Sequence, residues 1–127
     1  MKYYNEKKVS GTFEEVIDRT KKELEKEGFG VLTEISIDET LKKKLDADFR
    51  KYRILGACNA PYAHKALLAE ERIGTMLPCN VIVQEKKDGV EVAAVNPVAS
   101  MQAIENEDLK PIAEEIQNKL DKVIANL

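Results

Sequence analysis

Two Cys-Asn dipeptides, Cys58-Asn59 and Cys79-Asn80, contain the only cysteines of this 127-residue chain. The first follows a strand-like run and precedes Pro61, a residue that fits the first turn of a helix. Free backbone N–H groups and the helix dipole at such a start favour negative charge, so they can lower the pKa of a thiol and make it a better nucleophile or metal ligand. The amides beside the thiols could converge on a polar ligand. We therefore take Cys58, Asn59, Cys79 and Asn80 as the candidate site.

Three interpretations of this site are open. In the first, the four side chains bind a small polar or anionic ligand, or a soft metal, in a small binding domain. In the second, Cys58 is the thiolate of an enzyme or sulfur carrier and Cys79 is its resolving partner, which requires the two sulfurs to lie within disulfide reach. In the third, the cysteines are packing residues, the asparagines bond to nearby backbone, and function lies in a dimer surface. No cofactor follows from the sequence.

His64 is the only histidine of the chain. On a predicted helix it shares a face with Leu68 and Glu71, so we expect it to be exposed or at the helix edge. Together with Cys58 and Cys79 it would offer three soft ligands to zinc or copper. The spacing matches no recognised metal motif, so the sequence predicts no metal site, and His64 stands as a further candidate ligand-binding residue.

The composition of the chain makes some classes of function improbable. Hydrophobic residues make up 43% and charged residues 34% of the chain, and the net charge is −3. A dedicated nucleic-acid binder usually has a basic face, so we expect no nucleic-acid partner. No apolar run approaches the roughly 20 residues that span a bilayer, and no signal peptide is visible, so we expect no membrane association. These features favour a cytoplasmic protein with both thiols reduced.

Hydrophobic periodicity predicts the order strand, helix, strand, short helix, strand, helix, strand, strand, helix. This order favours an α+β domain, with helices packed on one face of a largely antiparallel sheet and a single domain over residues 1–127. The predicted strands are 2–9, 30–37, 51–58, 79–85 and 90–95, and the predicted helices are 13–27, 38–45, 61–72 and about 18 residues from Leu109.

Local signals support these bounds. Thr12 and Glu15 have the form of a capping box, and Gly28 is a natural C-terminal cap of the same helix. Asp108 is the better N-cap of the last helix because it puts the following proline in the first turn. Gly56 lies inside a predicted strand, where glycine indicates a bulge or a close approach of the backbone.

Two further patterns bear on a possible site. The consecutive Val81, Ile82 and Val83 predict a strand that is buried on both faces. A basic stretch follows the second strand and contains both a lysine run and two arginines. It is typical of a solvated helix face and its flank, and the alternative is a patch for an anion or a partner. Its members are Lys42, Lys43, Lys44, Arg50, Lys51 and Arg53.

The two Cys-Asn dipeptides belong to longer segments, residues 52–61 and residues 73–83, and the second contains the tetrapeptide Leu-Pro-Cys-Asn. Asn96-Pro97 and an amphipathic C-terminal helix follow. Over nearly its whole length the chain resembles the prokaryotic family known as domain of unknown function 302. One departure from the family pattern is Ala60, which lies between Asn59 and the following proline.

The resemblance implies a fold like that of the TATA-binding protein, with a long C-terminal helix across an antiparallel sheet. It also implies a homodimer. It implies no established activity, and it supplies no catalytic residue that could be carried over to this chain. A fold shared with a DNA-binding protein does not by itself indicate DNA binding, since unrelated functions use the same folds.

Overall fold

A five-stranded antiparallel sheet organises the chain, and the computed structural model describes all residues from 1 to 127. Five α-helices and one short 3-10 helix connect and cover the strands. The elements in chain order are β1 (Tyr4–Val9), α1 (Phe13–Lys26), β2 (Gly30–Ser36), α2 (Ile37–Leu45), β3 (Tyr52–Cys58), α3 (Ala60–Ala69), the 3-10 helix (Glu71–Met76), β4 (Cys79–Lys86), β5 (Gly89–Val95), α4 (Pro97–Ser100) and α5 (Leu109–Ala125).

The strand order across the sheet is β1-β5-β4-β3-β2, and every neighbouring pair is antiparallel. The β4–β5 hairpin and the β2–β3 and β3–β4 pairs join strands that are consecutive in the sequence. The first strand instead pairs with the last, in a register that sets Val9 opposite Val90. The predicted α+β class and antiparallel sheet are confirmed.

One face of the sheet is packed by helices α1 and α5. Their apolar stripes meet the inward-facing valines of β4 and β5, and burial of this apolar surface is the main stabilising contribution to the fold. The residues that are at most 1% exposed in this core include Val16, Ile17, Leu24, Val81, Val83, Val92, Leu120 and Val123. A smaller cluster forms around Ile73 and Met101, between α3, the 3-10 helix and α5.

The opposite face of the sheet is not covered by a second layer. Val81 and Val83 are fully buried against the helices, whereas Ile82 between them is only half-buried and Asn80 is exposed. The prediction that this strand is buried on both faces was therefore wrong. On the outer face of this strand, Gln84 is buried and bonds to Arg50 and Glu91.

Most local predictions agree with the structure, and the caps show where they differ. The Thr12 hydroxyl accepts a hydrogen bond from the backbone N–H of Glu15 at 3.1 Å, as the capping box predicts. Asp108 occupies the N-cap position of α5 but makes no capping hydrogen bond. The helix predicted over 61–72 ends at Ala69, and the 3-10 helix follows.

No helix of the structure combines the length and the apolar character that crossing a membrane requires.

Candidate functional site

The fold brings the two cysteines together at one end of the sheet. Strands β3 and β4 are neighbours, and Ala57 lies directly opposite Cys79 in their register, so Cys58 is one residue away from the paired position. Both thiols are free, with Cys58 half-buried and Cys79 buried. The sequence left the proximity of the two thiols open, and the pairing of β3 with β4 accounts for it.

The space between the cysteines is small. Cys58, Asn59 and Cys79 line a cavity of about 20 Å³, whose other walls are mainly apolar. A single water molecule needs roughly 10–15 Å³ of such volume, so this cavity has no room for a larger ligand. Burial, and to a lesser extent the neighbouring Cys58, raise the pKa of Cys79 to about 11. A thiol with that pKa is protonated at neutral pH, which makes it a poor nucleophile and a poor metal ligand.

Asn59 has a structural partner. Its side-chain Nδ2 donates a hydrogen bond to the carbonyl of Glu27 at 3.0 Å, and the residue is only 7% exposed. A Cβ atom added to Gly28 would lie 3.2 Å from the same nitrogen, and Gly28 has a φ of +87°. Asn59 therefore holds the C-terminal end of α1 against the start of α3.

His64 lies apart from the cysteines. It is exposed on α3 and does not line the cavity between the thiols. The three soft side chains are therefore not brought together. Nowhere in residues 1–127 do three or more His, Cys, Asp or Glu side chains form a group that could hold a metal ion.

A larger concave feature, lined in part by Asn80, lies on the uncovered face of the sheet. It is a groove of about 480 Å³, within the range of roughly 300–1,000 Å³ that is typical of small-molecule sites. Its lining residues come from strands β1, β3, β4 and β5 and from the segments that precede β1 and β3. They are Tyr3, Tyr4, Glu6, Arg50, Tyr52, Asn80, Ile82, Gln84, Lys86, Glu91, Ala93, Ala94 and Val95.

A chain of polar contacts forms the floor of this groove. Arg50 Nε donates to Gln84 Oε1 at 2.9 Å, and Gln84 Nε2 donates to Glu91 Oε1 at 2.9 Å. Lys86 Nζ donates to the other Glu91 oxygen at 3.0 Å. Burial opposes the charge on Glu91, but the hydrogen bonds from Lys86 and Gln84 prevail and lower its pKa below the ordinary value. Glu91 is therefore an ionised carboxylate on the groove floor.

Asn80 connects the second Cys-Asn dipeptide to the groove. Strand alternation puts Cys79 on the helix-covered face and Asn80 on the open face, where it lines the groove and is exposed. Gly56 lies opposite Asn80 in β3. Of the predicted site residues, Asn80 is therefore the one that reaches a ligand-sized space.

Sequence reasoning missed most of the groove. Gln84 and Glu91 are a cross-strand pair in the β4–β5 hairpin, and Ile82 pairs with Ala93 in the same ladder. Counting outward from the Asp-Gly turn would have placed these side chains on one face. That signal alone does not tell which face the helices cover, so it could have located the residues but not the groove.

Comparisons with known proteins agree with this description of the chain. None of the curated proteins matches it. It is similar to an uncharacterized conserved DUF302 protein from Bacillus stearothermophilus, whose crystal structure has a TM-score of 0.92 and 28% sequence identity over 98% of each chain. The family model described as domain of unknown function DUF302 matches residues 5–127. Because that match spans nearly the whole chain, the protein belongs to the DUF302 family.

Proposed function

We propose that this protein is a small-molecule-binding domain and that its site is the groove on the uncovered face of the sheet. The observation that carries the proposal is the pair Gln84 and Glu91, each only 7% exposed on a face that no helix covers. Buried polar groups at the floor of a ligand-sized groove are typical of binding sites, because they fix the orientation of a ligand. Asn80, which belongs to the second Cys-Asn dipeptide, also lines this groove.

The thiol interpretations have weaker support. The cavity beside Cys58 and Cys79 holds about 20 Å³, and the raised pKa of Cys79 keeps that thiol protonated. A sulfur carrier or a redox enzyme needs an accessible thiolate, so the groove is the better candidate.

Filling the groove tests the proposal. Ala93 is paired with Ile82 on the groove floor, so Ala93→Phe adds a ring that occupies the ligand volume without entering the helix-packed core. Native mass spectrometry of protein purified from its own host should show a bound compound on the wild type and none on Ala93→Phe. Ala125→Phe, at an exposed position of α5, is the matched control and should keep the compound.

Two results would contradict the proposal. One is a compound that stays bound to Ala93→Phe. The other is an empty wild-type protein whose groove amides, followed by ¹H–¹⁵N correlation spectra, shift with none of a set of small aryl anions, amides and amines.

We further propose that the protein is a homodimer, and that the β2 side of the open face forms the contact. Ile35, Ile54 and Ile82 are successive partners across three strands, which gives an apolar row on this face. Ile35 is 45% exposed and Leu32 at the sheet edge is 68% exposed. Ile35 and Ile54 do not line the groove, so a partner could cover them without filling the ligand volume.

Analytical ultracentrifugation tests the dimer. Ile35→Lys should weaken self-association by about tenfold or more, because an ammonium group would be buried without a partner. Leu68→Lys is the control, since Leu68 is 75% exposed on α3. A wild-type protein that stays monomeric, or an Ile35→Lys variant that associates as well as the wild type, would rule out this contact.

We also propose a cytoplasmic location, which the two free cysteines support because thiols stay reduced in that compartment.

A further inference from the structure

Arg50 is the groove cation that no carboxylate of the chain neutralises. Arg53 and Arg72 form ion pairs with carboxylates, whereas Arg50, like Arg19 outside the groove, forms none. Its guanidinium is nevertheless held in place. The Cζ atom lies 4.4 Å from the ring centroid of Phe49 and 5.7 Å from that of Tyr52, and Nε donates to Gln84 at 2.9 Å.

This arrangement leaves the terminal N–H groups of Arg50 free for a ligand. A guanidinium presents a planar fork of donors that matches the two oxygens of a carboxylate or a phosphate. Because stacking and the Nε hydrogen bond already fix its orientation, little conformational entropy is lost when an anion binds. The fixed guanidinium of Arg50 therefore has the geometry that suits an anion.

The other charges of the groove do not compete for the same anion. Glu91 is paired with Lys86 at 3.0 Å, so these two opposite charges largely cancel. Glu6 lies on β1 with its carboxylate close to that of Glu91, and it pairs with Lys2 Nζ at 3.7 Å. Each of these two carboxylates therefore has a lysine partner, whereas Arg50 has no carboxylate partner. An anion is therefore attracted to the Arg50 end of the groove.

We propose that the groove binds an amphipathic anion, whose carboxylate or phosphate pairs with Arg50 while its apolar body lies over Ile82 and Ala93. This inference rests on the proposed small-molecule function and adds the chemical class of the ligand. The strand geometry sets its length. Gln84 is four residue steps from Asn80 along β4, which corresponds to about 13 Å. A ligand of that length reaches from Arg50 to the carboxamide of Asn80, which can recognise a polar group at the far end.

Four aryl probes of similar size test the ligand class. Benzoate and phenyl phosphate carry the two candidate anionic groups, benzamide is neutral, and benzylamine is a cation at neutral pH. Each is titrated into the ¹⁵N-labelled full chain, and dissociation constants are obtained from the amide shifts of Ile82, Gln84 and Ala93. We expect at least one anion to bind about tenfold or more tightly than benzamide, and benzylamine to bind most weakly. Tighter binding of benzoate would indicate a carboxylate ligand, and tighter binding of phenyl phosphate would indicate a phosphate ligand.

Substitution of Arg50 is the second part of the test. Arg50→Gln should remove the preference for anions and leave the affinity for benzamide unchanged. Arg72→Gln is the matched control, because Arg72 is exposed and lies outside the groove, and it should keep the preference.

The outcomes separate this inference from the proposed function. If benzamide binds the wild type as tightly as both anions, or if Arg50→Gln keeps the preference, the anion assignment is overturned while the groove remains a site. If none of the four probes shifts a groove amide, the anion assignment is overturned, and if the wild-type protein also carries no bound compound, the small-molecule function fails with it.

Discussion

The two thiols differ in what their surroundings allow. Cys79 is buried, and burial raises its pKa from an ordinary value of 9.0 to about 11. The Cys58→Ala variant lacks the smaller contribution of Cys58, but burial remains, so we expect its remaining thiol to titrate well above pH 9 when folded and near pH 9 when unfolded, measured by thiolate absorbance. A raised pKa leaves less thiolate at neutral pH, so the folded variant should react with an aromatic disulfide reagent about tenfold or more slowly than the unfolded variant.

The same shift makes stability depend on pH. Between pH 9.0 and about 11 the unfolded thiol ionises while the buried thiol keeps its proton. The unfolded state is favoured as pH rises through this window, so the free energy of unfolding should fall there. A folded Cys58→Ala variant whose thiol titrates near pH 9 would show that the site opens readily and would revive the thiol interpretation.

The two asparagines of the Cys-Asn dipeptides should also behave differently. Asn59 is buried and bonds to the Glu27 carbonyl, whereas Asn80 is exposed in the groove. Asn59→Ala should lower the free energy of unfolding by about 1–3 kcal/mol, because it removes a buried hydrogen bond and leaves that carbonyl unsatisfied. Asn80→Ala should change it by about 0.5 kcal/mol or less. Urea unfolding of both variants gives the comparison, and equal costs would contradict these roles.

These residues show how far the sequence could predict the site. The dipeptides are identical in sequence, so local reasoning assigned them matching roles. Their roles differ because Cys58-Asn59 ends a strand and begins a helix, while Cys79-Asn80 begins a strand whose side chains alternate between faces. Which face is open depends on the positions of α1 and α5, and those contacts are distant in sequence.

At the scale of elements, the junction of β2, β3 and the loop before β4 depends on Gly56. A Cβ atom there would lie 2.2 Å from Thr33 Oγ1 and 2.8 Å from Pro78 Cγ. Gly56→Ala should therefore lower the free energy of unfolding by about 1–3 kcal/mol, because the packed neighbours must move apart. Combining it with Thr33→Ala should restore part of that loss, measured by urea unfolding.

Gly74→Ala is the matched control, because nothing lies within 4 Å of a Cβ added at Gly74. If Gly56→Ala is as stable as Gly74→Ala, the junction is looser than the contacts imply.

The sequence predicted a close approach at Gly56 but not the neighbour that makes it. The bulge lies in the partner strand, between Val31 and Thr33, and it brings the threonine hydroxyl onto the glycine. The early end of α3 has a similarly distant cause. Asn106 Nδ2 donates to the Ala69 carbonyl at 2.8 Å, and the 3-10 helix then buries Ile73 completely. Neither partner could be identified from local periodicity.

For the whole molecule, the sequence predicted the class but not the connectivity. Alternation and the Asp-Gly turn identified the β4–β5 hairpin, since consecutive strands with a tight turn pair antiparallel. Pairing of the first strand with the last is a non-local contact, and hydrophobic pattern alone leaves it open. The likeness to the TATA-binding-protein fold stays a prediction.

The arrangement of two apolar clusters leads to the last prediction, that the chain unfolds as a single domain. The main core and the smaller cluster around Ile73 share Leu77 and Ile112, which pack against both. Loss of either cluster should therefore expose the other, and unfolding should be one cooperative transition. Ile73→Ala should lower the free energy of unfolding by about 2–5 kcal/mol, because it leaves a cavity at a fully buried position.

Two spectroscopic probes check whether the stability lost in Ile73→Ala is lost by both apolar clusters together. Far-ultraviolet circular dichroism follows the helices and the sheet, and near-ultraviolet circular dichroism follows the tyrosines. Val92→Ala, in the main core, serves as the comparison because Val92 is also fully buried. If the chain is a single domain, the urea midpoint measured by far-ultraviolet circular dichroism equals the one measured by near-ultraviolet circular dichroism in each variant. If Ile73→Ala gave separate midpoints, the smaller cluster would be an independent unfolding unit, and the chain would not behave as one domain.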